Sequence, residues 1–287
     1  MKKTAKIIYL LGPSSCGSTI IQFILGSLPG AAAVSESRRW LSSEPRHCFV
    51  CERTNKKCPH HDPSKPNDLA GRASDLYQVI ADLYNVDTLV TGDKNLSGFL
   101  RLTRGYSTVP ILIIENPFSL ASSVRFHKIP AREKRIGSTV VEVCNTVNSI
   151  YEGFIKNIPE FFVLDFDYFI AYKCAVLKHL CSITGLEYRP EALEFWNFEH
   201  HTIGGNRGAY THIMNPVPRT VIEEQDKLYD CVSTSKEYYQ QRNYLDLFTD
   251  LRYKKLLTAE EMVAVATSDL FKTYSQLQEK FMKQLTK

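Results

Sequence analysis

The segment that decides the fold is residues 6–28, which read KIIYLLGPSSCGSTIIQFILGSL. It predicts an apolar strand over Lys6–Leu11, a loop rich in glycine and serine, and a helix over Ser18–Leu28. Backbone N–H groups of such a loop converge with the first turn of the helix and can bind an anion. The loop Gly12–Thr19 nearly matches the phosphate-binding pattern Gly-x4-Gly-Lys-Ser/Thr, but Ser18 occupies the lysine position. The alternative interpretation is a Ser/Gly turn that only caps the helix.

Short apolar runs alternate with longer amphipathic segments along the rest of the chain, a pattern typical of βαβ units. Further strands are predicted at Thr88–Thr91, Pro110–Ile114 and Phe161–Asp165; each is apolar on successive residues, as in a parallel sheet covered on both faces. Helices are predicted at Ser74–Tyr84, Phe118–Phe126, Val140–Ile155, Ala171–Thr184 and Lys236–Leu251. We therefore predict an α/β fold: a single domain over residues 1–287 with a central parallel sheet of four or five strands flanked by helices. Its core spans about 6–210, and helical C-terminal additions span about 219–287.

The C-terminal segment begins with a capping box, because Thr258 and Glu261 have the spacing Thr-x-x-Glu. Apolar residues then recur at helical intervals, at Leu270, Tyr274, Leu277 and Phe281. Such a stripe on a helix usually faces the protein core, and we expect it to do so here.

Composition excludes several classes of protein. Of the 287 residues, 44% are hydrophobic and 23% are charged, which is ordinary for a globular domain and argues against disorder. Lys plus Arg number 35 and Asp plus Glu 31, so the net charge is +4. A charge that small, without a basic stripe, predicts no nucleic-acid partner. No apolar run approaches the ~18 residues of a membrane span, so no membrane partner is predicted.

Two further features bear on the compartment. The lysine-rich start followed by Ala31-Ala32-Ala33 resembles a secretory signal, but its first apolar run, Ile7–Leu11, is too short for one. The eight cysteines are too few for a disulfide scaffold. We expect most of them to be buried thiols and the protein to be cytoplasmic.

The stretch from Pro29 to Pro66 is long, polar and cysteine-bearing, and loops of that length in compact α/β domains usually carry function. Cys48, Cys51 and Cys58, with His60 or His61, have a spacing that suits tetrahedral zinc. A disulfide such as Cys48–Cys51 and a set of reduced thiols are the alternatives. The spacing does not decide among the three, and no metal is assigned from it.

Three more motifs follow the first loop in a fixed order. They are Thr91-Gly92-Asp93-Lys94 after a strand, then Glu115-Asn116-Pro117-Phe118 with Ser123, and last His201-Thr202-Ile203-Gly204-Gly205-Asn206-Arg207. Together the four segments resemble the sulfotransferases that use 3′-phosphoadenosine 5′-phosphosulfate (PAPS). The first loop of that family reads Gly-x-x-Arg-Ser-Gly-Ser-Thr. The resemblance covers about residues 6–210, and the cysteine loop also occurs in bacterial-type members.

The resemblance implies a P-loop-nucleotide-kinase-like sulfotransferase fold, PAPS as cofactor and 3′,5′-phosphoadenosine (PAP) as product. It implies that the 5′-phosphosulfate is bound by Gly12, Ser14, Ser15, Cys16, Gly17, Ser18 and Thr19. It implies nucleotide and 3′-phosphate contacts from Ser123, Arg125, Gly205, Asn206 and Arg207. By the same resemblance, Lys94 neutralises the bridging oxygen of the leaving phosphate, and Glu36 is the general base toward the acceptor. For Glu36 the alternative is an ordinary loop glutamate held by Arg38 or Arg39.

This sequence departs from the family at two arginines, which are replaced by Ser15 and Glu115. Glu115 would repel a phosphate that it faced, and Arg125 and Arg207 are the predicted compensation. The alternatives are a non-catalytic or weakly active nucleotide-binding relative and a small-molecule kinase; the lysine missing at Ser18 counts against the kinase. The expected acceptor is a small molecule with a hydroxyl or an amine, such as a bacterial natural product. A homodimer is left open.

Overall fold

The computed structural model describes residues 5–14, 16–41, 48–53, 55–60, 69, 72–92, 96–126, 139–203 and 257–286. The predicted helix Lys236–Leu251 lies outside these residues.

A five-stranded parallel sheet forms the centre of the fold. Its strands are β1 (Lys6–Leu11), β2 (Ala31–Ser35), β3 (Thr88–Thr91), β4 (Ser107–Ile114) and β5 (Phe162–Asp165), in the order β2-β3-β1-β4-β5. The connection from β1 to β2 therefore crosses β3, and the connection from β3 to β4 crosses β1, as in other open α/β sheets. The predicted α/β class and the predicted parallel sheet of four or five strands are confirmed.

Strand β2 is the one that the sequence pattern missed. Its sequence is AAAVS, and alanine favours helices rather than strands. It is a strand because it pairs with β3, where Ala31 lies opposite Thr88 and Ala33 opposite Val90. Its small side chains also let helix α1 approach closely, since a Cβ on Gly26 would lie 2.7 Å from the Cβ of Ala33.

Eleven α-helices and one 3₁₀ helix surround the sheet in the described part of the chain. They are α1 (Ser18–Gly26), α2 (Ser37–Trp40), α3 (Phe49–Arg53), α4 (Leu76–Tyr84), α5 (Leu96–Leu102), α6 (Pro117–Phe126), α7 (Val140–Asn157), α8 (Phe166–Ala171), α9 (Lys173–Thr184), the 3₁₀ helix Pro190–Asn197, α10 (Ala259–Ala266) and α11 (Asp269–Leu285). The predicted helix from Ala171 starts instead at Lys173, because α8 ends just before it. Helices α2, α3, α5 and α8 and the 3₁₀ helix were not predicted.

One compact unit comprises residues 1–11, 17–111 and 177–216. In it, β1 and β2 both pair with β3, and α1 packs on β2. The 3₁₀ helix also packs on α1, where the ring of Phe195 stacks on Phe23 at 5.6 Å. Within this unit, β2 and the 3₁₀ helix therefore both hold α1 in place.

The other unit comprises residues 12–16, 112–176 and 217–287. Helix α11 packs on β5 and α7 in this unit. Its residues Leu270, Tyr274, Leu277 and Phe281 are all buried, which confirms the predicted core stripe. The predicted capping box is also present, and it starts α10 rather than one continuous helix. Ser268 caps α11 separately.

Cysteines in the described residues are mostly not cross-linked. Cys16, Cys48, Cys51, Cys58, Cys144 and Cys181 form no disulfide, whereas Cys174 is disulfide-bonded. The expectation of thiols is therefore met at six positions and wrong at Cys174. Within the described segments, none of the helices has both the length and the apolar character that a membrane crossing requires.

Candidate anion-binding site

The loop after β1 needs both of its outer glycines. Gly12 has a φ of 151°, and a Cβ there would lie 2.8 Å from Sγ of Cys16 and 2.9 Å from the carbonyl oxygen of Ile113. Gly17 has a φ of 81° and is the N-cap of α1 in the left-handed region. A residue with a side chain would be strained at either position. These two glycines therefore set the backbone path that leads into the helix.

The first turn of α1 presents amides and hydroxyls at the end of the loop. Ser18 and Thr19 are 3% and 8% exposed, and the amides of Ile20 and Ile21 bond back to the carbonyl oxygen of Gly17. Among the described residues, no side chain caps this helix. Gly17 itself is the N-cap, so the alternative of a Ser/Gly turn that only caps the helix stays open. First-turn amides and the helix dipole favour an anion at this position.

The other loop residues of the predicted site lie in the same turn. Ser14 is half-buried, and Cys16 is fully buried with its amide 3.4 Å from the carbonyl oxygen of Pro13. Cys16 therefore contributes packing under the loop, because its side chain lies against Gly12. Ser15 lies outside the described residues.

The ends of β2 and β3 meet beside the start of α1. Thr91 donates its hydroxyl to the carbonyl oxygen of Ser35 at 2.7 Å, and the amide of Gly92 donates to the same oxygen at 3.3 Å. A Cβ on Gly92 would collide with Gln22 and would lie 3.6 Å from Cβ of Ser18. The Thr91-Gly92 end of β3 thus lies against the first turns of α1, as the order of the motifs predicts. Asp93 and Lys94 follow it and lie outside the described residues.

Glu36 lies directly after β2, at the start of α2. Its Oε2 accepts a bond from Nε of Arg39 at 3.1 Å, and its side chain is 27% exposed. Ser35, just before it, has a φ of 65°, an unfavourable conformation for a residue with a side chain. Glu36 is therefore at the carboxyl edge of the sheet, where a base would be useful, and it is ion-paired with one of the arginines expected to oppose it. Its catalytic role stays a prediction.

Carboxylates gather after β4 and β5, in the second unit. Glu115 is 3% exposed, and the hydroxyl of Tyr151 accepts a bond from its amide at 3.3 Å. The carboxylate of Asp167 accepts a bond from the amide of Asn116 at 2.6 Å. Burial, together with the charges of Asp165 and Glu115, raises the pKa of Asp167 well above its usual range. A carboxylate at Glu115 with Asp165 nearby is unfavourable for the 3′-phosphate predicted at the Glu115 element.

Several predicted contacts lie beyond what the structure describes. Lys94, Gly205, Asn206 and Arg207 lie outside the described residues. Ser123 and Arg125 belong to α6, but their side chains lie outside the described part as well. These contacts stay predictions.

A second cluster joins the cysteine loop to a histidine far along the chain. Nδ1 of His201 lies 4.0, 3.3 and 3.5 Å from Sγ of Cys48, Cys51 and Cys58. These four donor atoms all lie within 4.8 Å of one another and could hold a metal ion. The sequence interpretation paired the cysteines with His60 or His61; the described residues place His201 there instead of His60, and His61 lies outside them. No local spacing could have identified His201, which is 143 residues from Cys58.

Comparison with solved structures agrees with this architecture. The fold is similar to that of a sulfotransferase domain from the olefin synthase of Synechococcus PCC 7002, with a TM-score of 0.54. The match has 12% sequence identity and covers 98% of this chain and 96% of that chain. The chain has the sulfotransferase fold. A sulfotransferase domain from the curacin biosynthetic pathway matches with a TM-score of 0.49 and 13% identity, over 96% of this chain and 99% of that one. No protein-family model and no curated protein matches the chain.

The sulfotransferase fold gives the first loop its significance. Open α/β sheets bind their ligands outside the carboxyl ends of the strands, where the connections diverge. The loop Gly12–Thr19 follows the central strand β1 at that edge. It is therefore the candidate site for an anionic ligand.

Proposed function

We propose that this chain is a sulfotransferase that moves a sulfuryl group from PAPS to a hydroxyl or an amine of a small-molecule acceptor. The proposal is carried by the path of the Gly12–Thr19 loop, which opens α1 with two glycines that cannot be replaced without strain. A fold by itself does not determine the chemistry of a protein. The loop is what distinguishes an anion-binding version of this fold from a bare scaffold.

In this proposal the 5′-phosphosulfate of PAPS lies at the start of α1. The first-turn amides and the hydroxyls of Ser18 and Thr19 would donate hydrogen bonds to its oxygens. PAPS supplies a sulfuryl group attached to a phosphate leaving group, on which negative charge grows during transfer. Lys94 would stabilise that charge. The contact of Gly92 with the first turns of α1 supports this role, since Lys94 follows it by two residues.

Glu36 is proposed to take the proton from the acceptor. Its position after β2 and its partial exposure suit a group that must meet an incoming molecule. Its carboxylate would have to leave the ion pair with Arg39 to reach the acceptor. We propose a small acceptor of the natural-product type and a cytoplasmic location. A homodimer stays open.

The carboxylates around Glu115 favour a second candidate function. Glu115 is buried where the family resemblance predicted a 3′-phosphate element, and both Glu115 and Asp165 are close enough to act electrostatically on the carboxyl group of Asp167. A non-catalytic relative that binds a nucleotide without a 3′-phosphate would be compatible with this arrangement. The two candidates differ in the ligand that they bind best.

Calorimetry separates the candidates. The full chain would be titrated with PAP, with ADP, and with ATP plus magnesium. Tighter binding of PAP than of ADP supports the sulfotransferase, whereas equal affinity for PAP and ADP supports the second candidate. Binding of ATP with magnesium alone would favour a kinase. No binding of any nucleotide would refute both proposals.

A variant pair tests whether the ligand binds at this loop. Loss of a hydrogen bond to a charged group costs roughly 1.5–3 kcal/mol, so S18A and T19A should each raise the Kd for PAP by about 10- to 100-fold. The matched control is S27A, at the other end of α1, where the hydroxyl bonds only to the carbonyl oxygen of Phe23 at 2.8 Å. Equal effects of S18A and S27A would place PAP elsewhere. Release of PAP from PAPS in the presence of phenols, alcohols or amines then tests turnover.

A further inference from the structure

The cysteine–histidine cluster has the chemistry and the spacing of a metal site. Tetrahedral zinc, with bonds of ~2.3 Å to sulfur and ~2.0 Å to nitrogen, separates sulfur and nitrogen ligands by about 3.5 Å. The three sulfur-to-Nδ1 distances at His201 are 3.3, 3.5 and 4.0 Å, which bracket that value. All four donor atoms lie within 4.8 Å of one another, which is close enough to bind one ion.

The cluster is largely shielded from solvent. Cys48 and Cys51 are 4% and 5% exposed, His201 is 7% exposed, and Cys58 is half-buried. None of the three cysteines forms a disulfide, so each sulfur can act as a ligand. Four protein ligands leave no coordination position open, which is typical of structural rather than catalytic zinc sites.

The imidazole of His201 is held in the orientation that a ligand needs. Its Nε2 lies 3.0 Å from a carboxylate oxygen of Glu199, so the other nitrogen, Nδ1, points toward the sulfurs. A carboxylate on the far nitrogen of a metal-bound histidine fixes the tautomer and increases the basicity of the ligand. Tyr84 donates its hydroxyl to the carbonyl oxygen of His201. The ring of His60 stacks on Tyr84 at 4.4 Å and meets the His201 ring edge-on at 4.8 Å.

The cysteine side of the cluster is also ordered locally. The amide of Cys51 donates to Sγ of Cys48 at 3.5 Å, which stabilises negative charge on that sulfur. The carbonyl oxygen of Cys51 accepts a bond from the amide of Lys56 at 2.8 Å, and Asn55 turns the chain with a φ of 53°. This turn brings Cys58 back beside α3. Lys56 and Lys57 are exposed and provide positive charge next to a site that would carry a net negative charge.

We propose that Cys48, Cys51, Cys58 and His201 bind one structural Zn²⁺ ion. Sulfur with one imidazole nitrogen in a tetrahedral arrangement selects zinc over magnesium or calcium, which prefer oxygen ligands. Zinc binding replaces up to three thiol protons. It also links the long cysteine loop to His201. None of these four residues belongs to the loop Gly12–Thr19, and this proposal does not depend on the proposed function.

The test begins with metal analysis of the full chain purified without added metal. We expect one zinc per chain, and a cobalt-substituted protein with thiolate-to-cobalt charge-transfer bands and the intense visible bands of a tetrahedral ion. Absence of stoichiometric zinc, a chain filled with iron, or a disulfide among the three cysteines would overturn the proposal. A cobalt spectrum without thiolate bands would overturn it too.

Variants identify the ligands. C58S and H201A should lower zinc affinity at least about tenfold. H60F, which keeps a ring against Tyr84, and C181A, which removes a buried thiol outside the cluster, should retain zinc. Because a ligand variant can fail to fold, H201C provides a second measurement: it should keep zinc while shifting the cobalt spectrum toward four thiolates. Unchanged zinc content and spectrum in both C58S and H201C would refute the ligand assignment.

The positioning role of Glu199 gives a finer test. E199A should weaken zinc binding about tenfold without changing the charge-transfer bands, because it removes the partner of the histidine and no ligand. E199Q, which still offers an oxygen to Nε2, should restore most of the affinity. Equal loss in both variants would show that Glu199 does not orient His201.

Discussion

The close approach of α1 to β2 predicts opposite effects for the same substitution at two helical glycines. Gly26 ends α1, and a Cβ there would lie 2.5 Å from the backbone nitrogen of Ala33 and 2.7 Å from its Cβ. Gly153 lies inside α7, and nothing lies within 4 Å of the position that its Cβ would occupy. G26A should therefore destabilise the protein, and G153A should stabilise it.

The magnitudes follow from two competing effects. Alanine is favoured over glycine in a helix interior by about 1 kcal/mol, and this gain is fully available at Gly153. At Gly26 the added methyl group meets backbone, and Ala33 is itself held to Val90 of β3. Overpacking of this kind costs about 1–3 kcal/mol and outweighs a gain in propensity that is already reduced at the end of the helix. We expect a net loss of about 1–2 kcal/mol for G26A.

Equilibrium unfolding in urea measures both effects. Both tryptophans, Trp40 and Trp196, are buried in the unit that contains Gly26, so their fluorescence reports that unit while circular dichroism reports the helices of both. Because α1 begins at the anion-binding loop, G26A should also weaken PAP binding, and G153A should not. A G26A protein as stable as G153A would refute the argument for close contact.

Three further predictions concern the carboxylates Asp165, Asp167 and Glu36. Tyr274 donates its hydroxyl to Oδ2 of Asp165 at 2.9 Å, so Y274F should lower the free energy of unfolding by roughly 1.5–3 kcal/mol. The control is Y172F, at a side chain that is 47% exposed, which should change the free energy of unfolding by less than about 0.5 kcal/mol. Equal effects of the two would remove the role assigned to this hydrogen bond. The pKa of Asp167 is raised in the folded state above its ordinary value of 3.8. Between these two values the folded protein holds a proton that the unfolded chain has lost. The free energy of unfolding therefore falls as the pH rises through that range. D167N should therefore gain stability relative to the parent as pH rises above about 4 and lose the difference below it, measured by unfolding across pH; a difference that does not depend on pH would contradict this. Finally, E36Q should slow sulfuryl transfer by about 100-fold while leaving the Kd for PAP unchanged, whereas a parallel loss of both would make Glu36 a structural residue.

Local pattern was sufficient for the elements around the first loop. The apolar run of β1, the glycines at 12 and 17, and the start of α1 are adjacent in the chain, so their spacing reflects one local structure. The buried stripe of α11 was equally readable, because helical periodicity depends only on which side of one helix is covered. The sequence likewise placed Thr91-Gly92 after a strand, and the structure puts it against α1.

Other features depend on partners that are distant in the chain. Ala31–Ser35 becomes a strand because β3 pairs with it, against the helical preference of alanine. The charge around Glu115 depends on Asp165 and Asp167, about fifty residues away, whereas the motif alone indicated only a departure from the family pattern.

The chain order of glycines, apolar runs and polar motifs thus determined that this protein is an α/β fold with a glycine- and serine-rich loop between β1 and α1, because each of those signals is local. Only the tertiary structure decided which histidine joins the three cysteines. His60 is two residues from Cys58, yet its ring stacks on Tyr84. His201 is 143 residues from Cys58, and its Nδ1 lies within 4.0 Å of all three sulfurs. Ligand spacing in the chain limits which residues can meet, but the tertiary contacts determine which one does.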